Sequence, residues 1–429
     1  MRFRSLAILA LWAFAAPSAL AQRDAIDDEV QRLLPRITEL RHQIHENPEL
    51  GNREVETAAL VADHLRELGF DEVRTGVAHT GVVAVLRGGR PGPVIAVRAD
   101  MDALPVTEET DLTFRSTKRT TYLGQEVGVM HACGHDIHTA VQLGVASVLK
   151  ALQGELPGTV MFLFQPAEEG PPPGEEGGAA LMLDEGVFDT LQPEAIFGLH
   201  ASAHLDVGRA AYTPGGALAA VDQFRITIRG QQAHGAAPHL SIDPVVMASQ
   251  VVTALQTIRS RNLSPLAPSV ITVGMIRGGT RFNIIPGEVA LEGTVRTYDP
   301  AVQDTVERRM REIVDGITQA GGGSFELDYD RITPVTINDL ALTSRSVPSL
   351  VAALGADQVS EADPWMAGED FSLFANEVPG FFYMLGTLAP GTTSGDHHSP
   401  TFRADDTALP VGMRTMAYTL WDYLERGEQ

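Results

Sequence analysis

The sequence predicts an α/β chain: a mainly parallel sheet flanked by helices, with a smaller ferredoxin-like βαββαβ domain inserted into it. Three observations carry this. Apolar runs that each end in polar residues, "PVIAVRADMD", "TVMFLFQPAEEG" and "AIFGLH", read as strands buried on both faces, and they alternate with stretches of helical period. From about Gly215 the order changes to strand, helix, strand, strand, helix, strand, the split βαβ pattern. After about Arg331 helix and apolar strand return, which makes the middle segment an insertion.

The chain opens "MRFRSLAILALWAFAAPSALAQ": two arginines, an apolar run from Leu6 to Ala16, and an A-x-A pattern at Ala19 to Ala21. This pattern predicts a cleaved secretory signal over residues 1–21, because the run is shorter than the roughly 20 residues of a spanning helix. A mature chain beginning near Gln22 is expected in a periplasm or outside the cell. Removing Arg2 and Arg4 from 32 basic residues leaves 30 against 55 acidic ones, a net charge of −25 with histidines neutral. So acidic a surface repels nucleic acid and anionic lipid, so neither is expected as a partner. The chain has one cysteine, so Cys133 forms no internal disulfide. In an oxidising compartment it is either a buried small hydrophobe or a protected, ligated thiolate.

The elements follow in order. Val30, Leu33, Leu34, Ile37, Leu40 and Ile44 recur at helical spacing, and a second helix spans Thr57 to Leu68, closed by Gly69. The three buried strands then bring Asp100 and Asp102, Glu168 and Glu169, and His200 toward one rim, where ligands of open α/β sheets gather. Between the first two strands, Val141, Val145, Val148, Leu149 and Leu152 mark a core-facing helix from Thr139. Cys133 and His135 are expected in the loop before it, turned toward one point by Gly134. The segments 22–214 and 331–429 are expected to form one catalytic domain, and 215–330 the smaller one. In the latter, "QFRITIRG", "SVITVGMIRGG", "EVALEGTVRT" and "SFELDYD" are strands, and Pro244 to Ile258 and Ala301 to Ile317 are helices. The strand "GFFYMLG", a loop holding "GDHHSP" and a closing helix complete the chain.

Thiolate, imidazole and carboxylate together suit a borderline divalent ion such as Zn²⁺, with Mn²⁺ or Co²⁺ as alternatives. Ligation also explains a lone thiol in an exported protein, since it keeps the sulfur deprotonated and shielded. Ordinary explanations stand beside each candidate. Cys133 fits a core cysteine, Glu168 and Glu169 a solvated pair, Asp100 and Asp102 caps of the turn before Pro105, and His397 and His398 a surface pair. His131 and His138 read as packing groups or supports of ligands. His234, at a strand end of the smaller domain, carries no function by position alone.

Several stretches resemble one known family: "HENPELG", "RADMDALPV", "MHACGHDIHTA", "FQPAEEG", "GLH", "AHGAAPH", "FNIIPGEVALEGTVRTYD", "GEDFS" and "HHSP". They are similar, in order from about residue 40 to the end, to the co-catalytic metallopeptidases that include aminoacylases and glutamate carboxypeptidases. Within these the resemblance is to the branch of hippurate hydrolases, N-acetyldiaminopimelate deacetylases and auxin-conjugate hydrolases. It implies a phosphorylase/hydrolase-like catalytic domain with an inserted lid and dimerisation domain. It also implies two divalent metal ions held by Cys133, His135, Glu169, His200 and His398. Of the two histidines of "HHSP", His398 directly precedes the serine, as the family's ligand does. Glu168 matches the general base, Asp102 the aspartate that orients a ligand, and Asp100 the place where other branches carry a ligand histidine. His234 matches the histidine that reaches the substrate carbonyl from a partner subunit, and Asn283 and Arg296 match substrate-binding positions.

The implied activity is metal-dependent cleavage of N-acyl amino acids to a carboxylic acid and an amino acid, by a homodimer. An exported carboxypeptidase or dipeptidase with the same site is the alternative, and a non-catalytic metal or solute binder a more distant one. Glu168 beside Glu169 argues against the binder, which has no use for a base next to its ligands. Zinc-dependent nucleotide deamination needs a C-x-x-C pair that one cysteine cannot supply. Two stretches depart from the family pattern, "PPPGEEGG" (Pro171 to Gly178) and "TKRTTYLGQEVG" (Thr117 to Gly128); both are expected beside the site, where they would reshape a substrate pocket.

Overall fold

The computed structural model describes residues 19–70 and 72–426. The apolar run of the expected export signal lies outside them. Helix α1 (Ala19–Glu46) runs through Ala21 and Gln22 and starts well before Val30; it buries Ile26, Val30, Ile37, Leu40 and Ile44. Helix α2 (Val55–Glu67) is closed by Gly69 at φ +77°, a left-handed position that glycine takes without strain. Strands β1 (Glu72–Val77) and β2 (Gly81–Arg87) form an antiparallel hairpin that the periodicity did not reveal. β2 is buried from Gly81 to Leu86, an unbroken apolar run like β6 but one that ends in no carboxylate or imidazole.

Strand β3 (Arg90–Asp100) is followed by a small hairpin, β4 (Arg119–Tyr122) and β5 (Gln125–Gly128), that stands apart from the main sheet. Helix α3 (His135–Ala151), β6 (Pro157–Gln165), α4 (Gly178–Asp184), β7 (Ile196–Asp206), β8 (Ala210–Tyr212) and β9 (Gly215–Leu218) follow. With β18 (Gly380–Leu388) and β17 (Val359–Glu361) contributed by the last part of the chain, the eight-stranded sheet has the order β1-β2-β6-β3-β7-β18-β8-β17. β6, β3, β7 and β18 are parallel, so their carboxyl ends share one edge. Alternate residues of β2 and β6 point into two separate cores. Val82, Ala84, Leu86, Phe162 and Phe164 pack under α1, α2, α3 and the closing α9 (Ala408–Arg426); Val83, Val85, Met161 and Leu163 pack under α4 and α8 (Phe371–Glu377). Helices on both faces are the reason the strands read as unbroken apolar runs. The mainly parallel α/β expectation holds.

The second sheet is antiparallel, in the order β12 (Ser269–Gly278), β14 (Glu288–Thr297), β10 (Ala220–Arg229), β15 (Ser324–Thr333). With α5 (Pro244–Thr257) and α6 (Pro300–Gly321) between its strands this is the ferredoxin-like order. Both helices start on Asp-Pro, where Asp243 and Asp299 accept hydrogen bonds from backbone N–H groups and the proline fills the first helical position. Phe224, Ile226, Val251, Leu291, Val306 and Met310 fill the core. A two-residue ribbon, β11 (Ala233–His234) with β13 (Ile284–Ile285), projects from this sheet. Beyond the inserted segment, β16 (Thr336–Asn338) pairs with β9 in a separate two-stranded sheet, and α7 (Leu340–Leu354) packs on α9. Among the described residues no helix is long and apolar enough to cross a membrane.

Candidate metal centre

Asp100 ends β3, Glu168 and Glu169 follow β6, and His200 lies on β7, so three parallel strands deliver them to the same edge. The backbone just after β6 turns sharply. Ala167 sits at φ +51°, a left-handed conformation unusual for alanine, and its N–H donates to Glu54 Oε1 at 2.9 Å. Beyond the edge, Gly134 precedes α3 with φ +94° and ψ 16°. Helix α3 begins at His135 and not at Thr139, which corrects the placement of His135 in a preceding loop. Gly134 still provides the pivot, since the left-handed residue at the helix entry turns Cys133 and His135 toward a common point.

Several triads of donor atoms lie there with all ligand atoms within 4.8 Å of one another; two of them share the thiol, Cys133 with His135 and His200, and Cys133 with Glu169 and His398, and His135 with Glu168 and Glu169 forms another. The Cys133 Sγ lies 3.5 Å from His200 Nε2, and His398 Nε2 lies 2.9 Å from Glu169 Oε1. His397 Nδ1 is also 3.6 Å from Sγ, but its Nε2 accepts the N–H of Ala203, and its ring packs against Trp365 and Phe402. His398, held at φ +65°, is the one that faces Glu169.

The donor set fits divalent ions on two grounds. His135 Nδ1 faces the Asp102 backbone oxygen at 2.9 Å and Asp102 Oδ1 at 3.2 Å, which leaves its buried Nε2 without a hydrogen-bond partner. An oriented ring with a free inner nitrogen is what a metal-ligating imidazole looks like. The second ground is charge. Burial alone would lower His135, yet Asp100 and Asp102 raise it to about 10, so this point favours a positive charge. Burial, with the nearby carboxylates of Glu169, Glu168 and Asp100, pushes the Cys133 thiol well up, which a bound cation reverses by replacing the proton.

Other residues hold these ligands in place. Asp102 Oδ2 accepts the N–H of Glu169 at 3.0 Å, so one carboxylate orients two ligands. Asp100 accepts from Arg98 at 2.7 Å and from His138 Nδ1 at 2.6 Å, and His138 Nε2 accepts the N–H of Ala201. Both nitrogens of His138 are thereby engaged, although with Asp100 and His135 it also forms a group of donor atoms within 4.8 Å of one another. Neither aspartate caps the turn before Pro105. Glu168 is partly buried, 3.8 Å from His135 Nε2. Burial, with the carboxylates of Glu369, Glu169 and Asp370, holds its proton affinity well above the ordinary carboxylate range, and Arg98 opposes this. The same burial, opposed by Arg98, places Asp370 at about 7.

Several of these supports had no role assigned from sequence. Arg98 donates to Asp100, Glu369, Asp370 and Gln165, a buried hub joining β3 to the segment before α8. Asp136 joins Arg41 and His45 behind the start of α3. Glu54 grips the turn at Ala167. Arg98, Glu369 with Asp370, and His45 stand in "RADMD", "GEDFS" and "HENPELG", stretches that signalled a resemblance without revealing what each residue touches. His131 is buried with neither ring nitrogen bonded, and burial brings it to about 4, so it is neutral.

The smaller domain's candidates are elsewhere. His234 is exposed on β11, with Nδ1 accepting the N–H of Ala236 at 3.0 Å. Asn283 has a buried, unpaired Oδ1, and Arg296, on β14, donates to Thr294. Among the described residues no hydrogen bond or ion pair joins any of the three to the ligand cluster.

Comparison with known proteins bears on this geometry. Residues 96–422 match the family described as Peptidase family M20/M25/M40. An N-acetyl-L-cysteine deacetylase of Bacillus subtilis is 40% identical over 372 residues, 86% of this chain and 84% of that protein. Thermostable carboxypeptidase 2 of Saccharolobus solfataricus is 37% identical over 394 residues, 91% of this chain and 95% of its own length. The crystal structure of the Bacillus subtilis YXEP protein, titled a dinuclear metal binding peptidase from the M20 family, superposes with a TM-score of 0.77 at 35% identity, covering 92% of this chain and 99% of that one.

Proposed function

The chain belongs to peptidase family M20/M25/M40, and from that premise we propose that it is a metal-dependent amidohydrolase that cleaves N-acyl amino acids to a carboxylic acid and an amino acid. The observation that supports this best is one thiol, Cys133, common to two ligand triads, with the carboxyl of Glu168 beside them. Bound Zn²⁺, Mn²⁺ or Co²⁺ would supply Lewis-acid polarisation of the amide carbonyl and lower the pKa of water. Glu168 takes the proton of the attacking water on its carboxylate and passes it to the leaving nitrogen. Burial and the carboxylates around it raise its proton affinity above the ordinary carboxylate range, the direction that suits a group which must hold the proton before returning it. Asp102 fixes the His135 ring and the backbone at Glu169, and His138 and Arg98 hold Asp100 behind them.

In this reading the enzyme acts as a homodimer, with His234 of one copy reaching the substrate carbonyl in the other and Asn283 and Arg296 holding the substrate. The exposure of His234 and the edge position of β12, which presents Val270, Met275 and Ile276 to solvent, are consistent with a partner there. Nearby Phe282 is 95% exposed. Export to a periplasm or beyond is the companion proposal, supported by the opening sequence and tested by the mass of the protein recovered outside the cytoplasm.

The test is hydrolysis of matched N-acetyl, N-benzoyl and N-aminoacyl amino acids by the metal-loaded protein. Turnover of acylated compounds without turnover of free-amine peptides supports the amidohydrolase. The reverse order makes it a carboxypeptidase or dipeptidase, the second reading, which the carboxypeptidase relative favours. Inactivity on every compound with every metal removes both.

A further inference from the structure

Beside the ligands opens a cavity of about 570 Å³ whose lining includes Asp102 and Glu169. Its other walls come from the turn between α1 and α2, from the β4–β5 hairpin, and from Pro172 and Pro173. The last two are the stretches that depart from the family pattern. Leu104, Tyr122, Leu123, Val129, Pro172 and Pro173 form the apolar part of a lining that is otherwise polar and charged.

Leu123 is the telling residue. It and Gly124 form the two-residue turn of the hairpin at φ +50° and +76°, both left-handed, where asparagine followed by glycine is the unstrained choice. Leucine at that position is strained, and at 69% exposure it gains little from packing within the fold. Folding gives no reason for it; a ligand in the cavity that it lines does. The facing wall is held firmly. Asn52 donates to Glu175 at 3.1 Å and to the backbone oxygen of Glu176 at 2.9 Å, and Arg53 also donates to Glu175, so Pro172 and Pro173 sit on a tethered loop.

Charge decides which end of a substrate enters. The cavity's cations are already engaged: Arg53 with Glu175, Arg119 with Glu126 at 2.6 Å, and Lys118 with Glu56 at 4.0 Å. Asp102, Glu169 and Glu49 also line it. Away from the metal ligands the cavity therefore offers an α-carboxylate no unpaired arginine or lysine, whereas its apolar residues suit the neutral acyl end.

We propose that this cavity is the acyl pocket and that it selects apolar acyl groups bulkier than acetyl, with Leu123 and Tyr122 of the hairpin as specificity-determining residues. The proposal rests on the amidohydrolase reading and names its acyl class. A volume of this order accommodates a drug-sized apolar group, far more than one methyl.

The experiment measures kcat/KM of the metal-loaded full chain on N-acetyl, N-benzoyl and N-octanoyl derivatives of one amino acid, for wild type and for Leu123→Asn. Wild type is expected to favour the benzoyl or octanoyl compound over the acetyl by about tenfold or more. In Leu123→Asn that ratio falls by about tenfold, while Tm, measured alongside, stays level or rises because asparagine suits the turn. Preference for acetyl in wild type, or an unmoved ratio in a folded Leu123→Asn, overturns the proposal while leaving the amidohydrolase reading intact. If no acylated amino acid is turned over, the underlying reading fails and the proposal falls with it.

Discussion

Replacing Gly134 by alanine tests how tightly the pivot of the site is built. The residue sits at φ +94°, where a side chain costs about 1–2 kcal/mol. An added Cβ would lie 2.7 Å from the Cβ of Ala201 and 3.4 Å from the ring of Phe402. Ala201 directly follows His200 on β7 and has no flexible side chain to swing aside, so the contact adds an overpacking cost of about 1–3 kcal/mol. The sum is about 2–5 kcal/mol. Relief requires the start of α3 to move away from β7, which separates Cys133 and His135 from His200. The assay is thermal unfolding of the metal-free protein together with Zn²⁺ titration calorimetry. A midpoint lower by several degrees and a Zn²⁺ affinity weaker by about tenfold or more are expected. Gly134→Asn should recover little, since asparagine tolerates the left-handed conformation but meets Ala201 all the same. Wild-type stability and Zn²⁺ affinity in Gly134→Ala would refute the reasoning.

Glu168→Gln should keep its metals and lose turnover by about 10²–10⁴-fold, read by metal analysis and kcat; loss of metal, or near-normal rates, would remove Glu168 from its role. Chelation should abolish activity and lower the thermal midpoint, because ions that bind only the folded chain stabilise it by about 4 kcal/mol when present at a thousand times their Kd. A midpoint indifferent to chelator would mean that the triads do not form a site. His45 supplies a pH test. Burial opposes its charge, but Asp136 and Glu108 raise it from 6.5 to about 9. The stability of its charged form is therefore complete below pH 6.5 and is lost as pH rises through 9, a change of about 3 kcal/mol. Subtracting the unfolding free energy of His45→Gln from that of wild type across this range should give that decline, and a flat difference would contradict it.

Much of the molecule was legible in the order of its residues. Apolar runs and the period of 3.6 depend only on neighbours along the chain, and they reveal the helices, the strands β3, β6, β7 and β18, and the inserted βαββαβ order. Polar residues that directly follow buried strands, such as Glu168 and Glu169, were visible because the sheet gathers strand ends. Strand β2 is an apolar run of the same kind but ends in Arg87 and glycines and not in a carboxylate or imidazole, so nothing marked it, and the start of α3 was misplaced because Gly134 hides the entry of the helix. What touches each histidine is visible only in the packing. His131, His135, His138, His397 and His398 are chemically identical in the sequence, and they differ in what touches each ring. His138 is used up by Asp100 and Ala201, His397 is wedged among aromatic rings, and His135 keeps one nitrogen free. The reach of Arg98 to Glu369, 271 residues away, and the place of Leu123 beside Glu169 are likewise invisible along the chain. Periodicity reports whether a residue faces the core or the solvent, whereas a metal site or a pocket depends on which distant segments the sheet edge brings within a few ångströms.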